Sequence, residues 1–215
     1  MPDEDGERAL AKTSNLNPAA LGFRVKSGWA MAVLLAGPAS APRLVRCEDI
    51  LLSDPKIPQS KQPHHAALEL PEREGKALTE KLRKVVADAA KNSVDELLKR
   101  ASEEGYGVRG AGLVVGSLVD PATLHNDHIR AHGLEGQLFR TVLEDAFRAR
   151  KIPCEAFMEK GAYESAAEML GRTPAQIKRA VAALGESHEG SWRAEEKLAA
   201  LAAWVALQAG GKRAV

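Results

Sequence analysis

The chain reads as a single α/β domain, a mixed five-stranded sheet with flanking helices and a helical C-terminal region. Three observations predict this. Strand-like segments separated by short breaks open the chain, a long amphipathic pattern divides them from two further short apolar runs, and helical spacing takes over after about residue 162. The bulk properties agree. At 215 residues the chain is compatible with one core, and 45% hydrophobic with 27% charged residues is an ordinary globular composition. Aromatics make up only 4%, so the core is expected to rest on Ala, Leu and Val.

Residues 1 to 18 are polar and end in Asn17-Pro18, and read as a flexible lead-in to a domain spanning 19 to 209. From Leu21, LGFRVKSGWAMAVLLAG places Phe23 and Val25 before a Lys-Ser-Gly turn and an apolar stretch after it, which is either a hairpin or one long bent strand. Gly37-Pro38 breaks the chain, and a third strand is expected over 43 to 53, antiparallel because its connection is short. Four prolines in 54 to 71 exclude regular structure and predict an extended surface connection. Residues 72 to 104 carry apolar positions at helical spacing, with an interruption expected near Asn92-Ser93.

The run AGLVVGSLV is a strand buried on both faces, and the next helix is expected from about His128 to Arg150. A short strand at 153 to 157 precedes helices at 163 to 170, 173 to 184 and 194 to 208, the second with Thr173 as N-cap and Pro174 at its first position. The Gly-Gly-Lys-Arg tail, 210 to 215, is expected to fray.

Thirty basic against 29 acidic residues leave a net charge of +1, which excludes attraction of polyanions by the surface as a whole while leaving room for a local basic patch. Cys47 and Cys154 lack paired spacing, so they read as buried thiols, neither a disulfide framework nor a zinc ribbon. The acidic N-terminal segment is unlike a secretory signal, and no apolar run reaches the roughly 18 residues a membrane span needs, so a cytoplasmic location and no membrane partner are expected.

The element order, three strands, long helix, strand, helix, strand, helices, is that of the ribonuclease H-like fold. LGFRV with GWAMAVL resembles the opening hairpin of the Holliday-junction-resolvase branch, the RuvC-like and YqgF-like proteins. GLVVGS with RKIPCEAFMEK resembles its central α/β unit, and KLAALAAWVALQ its closing Ala-rich helix. Together these pieces cover most of residues 20 to 208. The segments VKSGWA, KQPHHA and HIRAHGLEGQLFR, in that order, are also similar to bacterial proteins without an assigned activity. The resemblance implies two Mg²⁺ ions held by an acid on the first strand, one after the fourth strand and one on the last helix. This chain departs from that set. Arg24 stands at the first position, Gly116 and Ser117 end the fourth strand, and Glu196 is the candidate for the last acid. The resemblance therefore implies a catalytically divergent member with a degenerate active site.

Three constellations are candidates for chemistry. In NDHIRAHGLEGQLFR, Asn126 or Asp127 is a helix N-cap, and His128, His132 and Glu135 then share one helical face, a set suited to a divalent metal such as zinc, manganese or iron. The simpler reading is that the same residues hydrogen-bond the neighbouring Pro-rich loop and cap the helix, and His125 adds an imidazole nearby. In RVKSG, Arg24 and Lys26 alternate away from Phe23 and Val25. With Ser27, Asn126, Arg130 and Glu159 they form a candidate phosphate site, or else they close an internal ion-pair network with Glu135 or Glu159. Arg24 is expected near the helix that starts at His128. In KQPHHA, Gln62, His64 and His65 are loop candidates for ligation or proton transfer. Trp192 reads as a packing or an exposed stacking residue.

These readings converge on a nuclease-deficient protein binding a phosphate-bearing ligand, a nucleic acid or nucleotide, with a divalent metal as candidate cofactor. The alternatives are a metal-dependent hydrolase with a His/His/Glu site, using Glu159 or His64 as acid or base, and a non-catalytic partner-binding module.

Overall fold

The computed structural model describes residues 16 to 212. The segment 1 to 15 and the last three residues, where much of the expected lead-in and tail falls, lie outside the described residues. Strand β1 (Asn17–Lys26) turns back through Ser27-Gly28 into β2 (Trp29–Ala36), so the first apolar stretch is a hairpin. The tight return is possible because Gly28 adopts φ +82°, a left-handed conformation costly for a side-chain-bearing residue. Strand β3 (Arg43–Leu51) adds antiparallel to β2, whereas β4 (Tyr106–Val115) and β5 (Cys154–Met158) add parallel on the other side of β1. The sheet order is β3-β2-β1-β4-β5, with β1 at its centre.

Alternation along the strands gives the sheet two apolar faces. Phe23, Val25, Leu113 and Val115 point to one, where α1 (Glu72–Glu103) and α2 (Asp127–Arg148) cover them with Val86, Val94, Phe139 and Phe147. Ala20, Val33, Leu35 and Val114 point to the other. There α3 (Ala162–Leu170), α4 (Pro174–Leu184) and α5 (Ala194–Lys212) supply Ala166, Ile177, Leu201 and Trp204. The Ala-rich helix α5 lies directly on the strand backbones. A Cβ at Gly22 would sit 2.0 Å from the Ala199 carbonyl oxygen, and one at Gly112 would sit 2.4 Å from that of Ala202. Small residues on both partners remove the usual layer of side chains and bring the start of α5 close to the end of β1.

Several boundaries differ from expectation for local reasons. Strand β1 begins at Asn17, ahead of residue 19, because the Asn17 N–H donates to the Gly105 carbonyl (2.8 Å). Helix α1 runs through Asn92-Ser93 without a break, and the Ser93 hydroxyl donates to the Leu51 carbonyl (2.7 Å) instead of competing for its own helix. The Pro-rich connection contains two single 3-10 turns, Pro58–Lys61 and His65–Ala67, and Ser60 is fully buried within it. Helix α5 is described to Lys212 and carries Gly210 and Gly211 within it, while the rest of the expected tail lies outside the described residues. Helix α4 starts as the sequence predicts, with a reciprocal capping box between Thr173 and Gln176.

Trp192 packs over Gly185, and its indole N–H donates to the Val181 carbonyl (2.9 Å), so it is a packing residue. Cys47 and Cys154 are free, and burial, more than the nearby carboxylates, pushes both thiols up to about 12. Among the described residues, no helix is long and apolar enough to cross a membrane.

Candidate functional site

Two groups of polar residues gather where the parallel strands end, and they lie on opposite faces of the sheet. The first is on the α5 face. Gly22 abuts α5, so Arg24, two residues on, leaves β1 on that side and is buried at 4% exposure. One Nη donates to the Val25 carbonyl (2.8 Å), the other to the Glu159 carboxylate, and Nε is buried without a hydrogen-bond partner. Glu159 follows β5 and is held by its own N–H, which donates to the Val115 carbonyl (2.8 Å), while its side chain stays 44% exposed. Next along β1, Lys26 pairs with Glu195 in the first turn of α5 (3.2 Å). Hydrogen bonds from Lys26 and from its own backbone hold the Glu195 carboxyl below its ordinary range, with the charges of Lys26 and Arg24 adding to them.

Glu196, the candidate for the last acidic position, is buried and accepts from the Ser191 hydroxyl (3.0 Å) and the Arg193 N–H (2.8 Å), so it ties down the entry to α5. Ser27 is exposed in the hairpin turn.

The second group is on the α2 face. Asn126 is the N-cap of α2 and accepts from the Ile129 N–H (3.0 Å). One turn spacing brings His128 and His132 together with their Nε2 atoms 3.2 Å apart, both on the exposed side of the helix. The Pro-rich loop then delivers His65. Its ring lies 4.8 Å from that of His128 and 4.2 Å from that of His132, centre to centre. One ligand atom from each of the three falls within 4.8 Å of the others.

Glu135 sits behind this trio, completely buried. Its Oε1 accepts from the His65 backbone N–H (3.2 Å) and lies 3.0 Å from His65 Nδ1. The imidazole is turned out of hydrogen-bond alignment. Both ring nitrogens of His65 and Oε2 of Glu135 are therefore buried without hydrogen-bond partners.

The structure thus joins His65, a loop candidate, to His128 and His132, and seats Glu135 against His65. Arg24 is not beside the start of α2. Alternation sends it to the opposite face, and its polar contacts are to Glu159, Val25 and Val114. Arg130 stays on α2, pairing with Asp127 and donating to the Leu124 carbonyl (3.1 Å). Gln62 is exposed, its carbonyl accepting from the Ala66 N–H (2.9 Å). His64 turns away from the trio into a groove lined by Leu68, Lys76 and Arg83. Burial first, then Arg83 and His65, push its pKa below the ordinary value.

Sequence reading missed Glu195 as the partner of Lys26, although an acid in the first turn of an Ala-rich helix was a visible signal. It also missed the cavity of about 510 Å³ beside His132, lined by Ser117, Asp120, Gly133 and Arg140, because no spacing marks a space between a loop and a helix.

No protein-family model and no curated protein matches the sequence. Among solved structures the chain is similar to Thermus thermophilus RuvC, with a TM-score of 0.53 and 12% identity over 91% of this chain and 96% of that one. The fold is RuvC-like. A second similar structure is T. thermophilus RuvC in complex with Holliday junction substrate, with a TM-score of 0.53, 12% identity and coverage of 91% and 95%. At that identity the likeness to RuvC carries the architecture, the mixed five-stranded sheet with flanking helices, and leaves activity to the residues.

Proposed function

We propose that the protein is a catalytically divergent, nuclease-deficient relative of the RuvC-like nucleases that binds a phosphate-bearing ligand, a nucleic acid or nucleotide, where β1, β4 and β5 end. The observation that carries this reading is the buried Arg24 at the centre of the sheet. In folds of this type, ligands approach the crevice beyond the carboxyl ends of the parallel strands. A guanidinium on the central strand repels divalent metals and attracts phosphate oxygens. Arg24 is also poised for exchange, since Glu159 is nearly half exposed to solvent and Arg24 Nε has no partner to lose. A phosphate that displaces the Glu159 carboxylate gains the planar donor set, and Lys26 at the rim adds a second cation by leaving Glu195. The complex of T. thermophilus RuvC with Holliday junction substrate makes branched DNA the first probe to use.

The test measures binding of four-way-junction, duplex and single-stranded DNA and of a nucleoside triphosphate, alongside cleavage in Mg²⁺ and in Mn²⁺. The expected result is binding of at least one probe without cleavage, and at least tenfold weaker binding by the Arg24→Ala, Lys26→Ala variant. A folded double variant that binds as wild type, or cleavage by the wild-type chain, overturns the reading. Lys26→Ala alone serves as the second variant, because its side chain is at the surface and its loss leaves the core intact.

A further inference from the structure

We infer that His65, His128 and His132 form a three-histidine site for a zinc-class divalent metal ion, with Glu135 as the buried carboxylate that orients His65. The site is independent of the Arg24 crevice, since it lies across the sheet. Four features support it.

The first is spacing. Two nitrogens on one tetrahedral zinc at a Zn–N distance of about 2.05 Å lie roughly 3.3 Å apart, and His128 and His132 already hold their Nε2 atoms 3.2 Å apart. A ligand atom of His65 lies within 4.8 Å of theirs, so closing the set requires the His65 ring to move toward the pair.

The second is the donor inventory. A pair of imidazoles on one helix face can satisfy one nitrogen contact between them, but a third imidazole converging on the same point, with Nδ1 turned toward Glu135, leaves its Nε2 buried without a hydrogen-bond partner.

The third is Glu135. A carboxylate with no exposed surface needs a countercharge as well as hydrogen bonds. Its contacts are the neutral backbone N–H of His65 and the His65 ring, and Oε2 has none. A metal bound at Nε2 of His65 makes Nδ1–H a stronger donor and places positive charge one ring away. The carboxylate in turn fixes the tautomer and raises the basicity of the ligand, the usual arrangement behind a metal-bound histidine.

The fourth is access. His128 and His132 are exposed, so three protein ligands leave a coordination position open to solvent. His132 also lines the cavity that reaches Ser117, Asp120 and Arg140, which gives room for water or a small ligand at that position.

The test uses the full chain purified without an affinity tag, stripped with a chelator and titrated with Zn²⁺ by calorimetry, and with Co²⁺ by absorption spectroscopy. The expected result is one Zn²⁺ per chain, a rise in melting temperature on zinc addition, and visible Co²⁺ bands of a nitrogen-coordinated site of low coordination number. His65→Ala, His128→Ala and His132→Ala should each weaken Zn²⁺ binding at least tenfold. Glu135→Gln should weaken it about 10- to 100-fold, the usual effect of losing such a supporting carboxylate, while His125→Ala leaves it unchanged. His128 and His132 are surface residues, so their variants report binding without a folding defect. Failure to bind Zn²⁺, or wild-type affinity in the His128→Ala and His132→Ala variants, overturns the inference.

Discussion

The two faces of the sheet solve the problem of polar groups near a core in opposite ways. On the α5 face the two cations of β1 each have an opposite: Arg24 meets Glu159, and Lys26 meets Glu195. On the α2 face the buried groups are left open, with Glu135 and both nitrogens of His65 short of hydrogen-bond partners. The first arrangement stabilises itself and admits a ligand only by exchange. The second is under-satisfied as it stands, and a cation completes it. A buried polar group without a partner costs about 1–3 kcal/mol, so the two faces also differ in what they contribute to folding.

The comparison is broken most severely on the α5 face by adding one carbon. In Gly22→Ala the new Cβ would overlap the backbone of Ala199 and Ala203, which cannot rotate away as a side chain can. A loss of about 3 kcal/mol is expected, at the upper end of overpacking costs, measured by chemical denaturation. An unchanged midpoint would show that α5 is not held on the strand backbone.

A smaller effect follows from unpairing the cation. Glu159→Gln leaves the Arg24 guanidinium buried without its counterion and is expected to cost about 1–3 kcal/mol, reduced from fully buried cases because Glu159 is half open. Adding Arg24→Met to Glu159→Gln should recover most of that loss, since no buried charge then remains. If the double variant is less stable than the single one, Arg24 contributes packing and not charge.

The smallest effect sharpens the comparison from the α2 face. His64 neighbours the trio, and its folded pKa is lowered. The unfolded chain takes up a proton at this residue near the ordinary value of 6.5 while the folded chain resists it. Its contribution to stability is therefore complete above that pH and lost on acidification. His64→Gln should flatten the fall in stability between pH 7 and pH 5, read from denaturation midpoints.

The fold was legible because it depends on local pattern. Thr173-Pro174, the Lys-Ser-Gly turn and the apolar run from Ala111 each specify an element by short-range chemistry, and the order of the elements then restricts the topology. The site was only half legible. His128 and His132 are one helical turn apart, so their meeting is implied by spacing. His65 reaches them from a loop, and its tie to Glu135 spans 70 positions that no period connects. The expected closeness of Arg24 to α2 failed at a different step. Arg24 was correctly read as pointing away from Phe23 and Val25, but those two residues face α2, so the same alternation sends Arg24 to α5. The acids opposite it, Glu159 and Glu195, are brought there by tertiary packing, though Glu159 had been named as one partner.

The His65 backbone N–H has a consequence of its own. Because that amide donates to a carboxylate with no exposure to water, it can exchange with solvent deuterium only when the loop lifts off α2 and Glu135 is hydrated. One amide thus serves as a gauge of loop docking. Its exchange rate counts how often the Pro-rich connection opens, and an ion held between the three imidazoles should slow it by pinning the loop to α2.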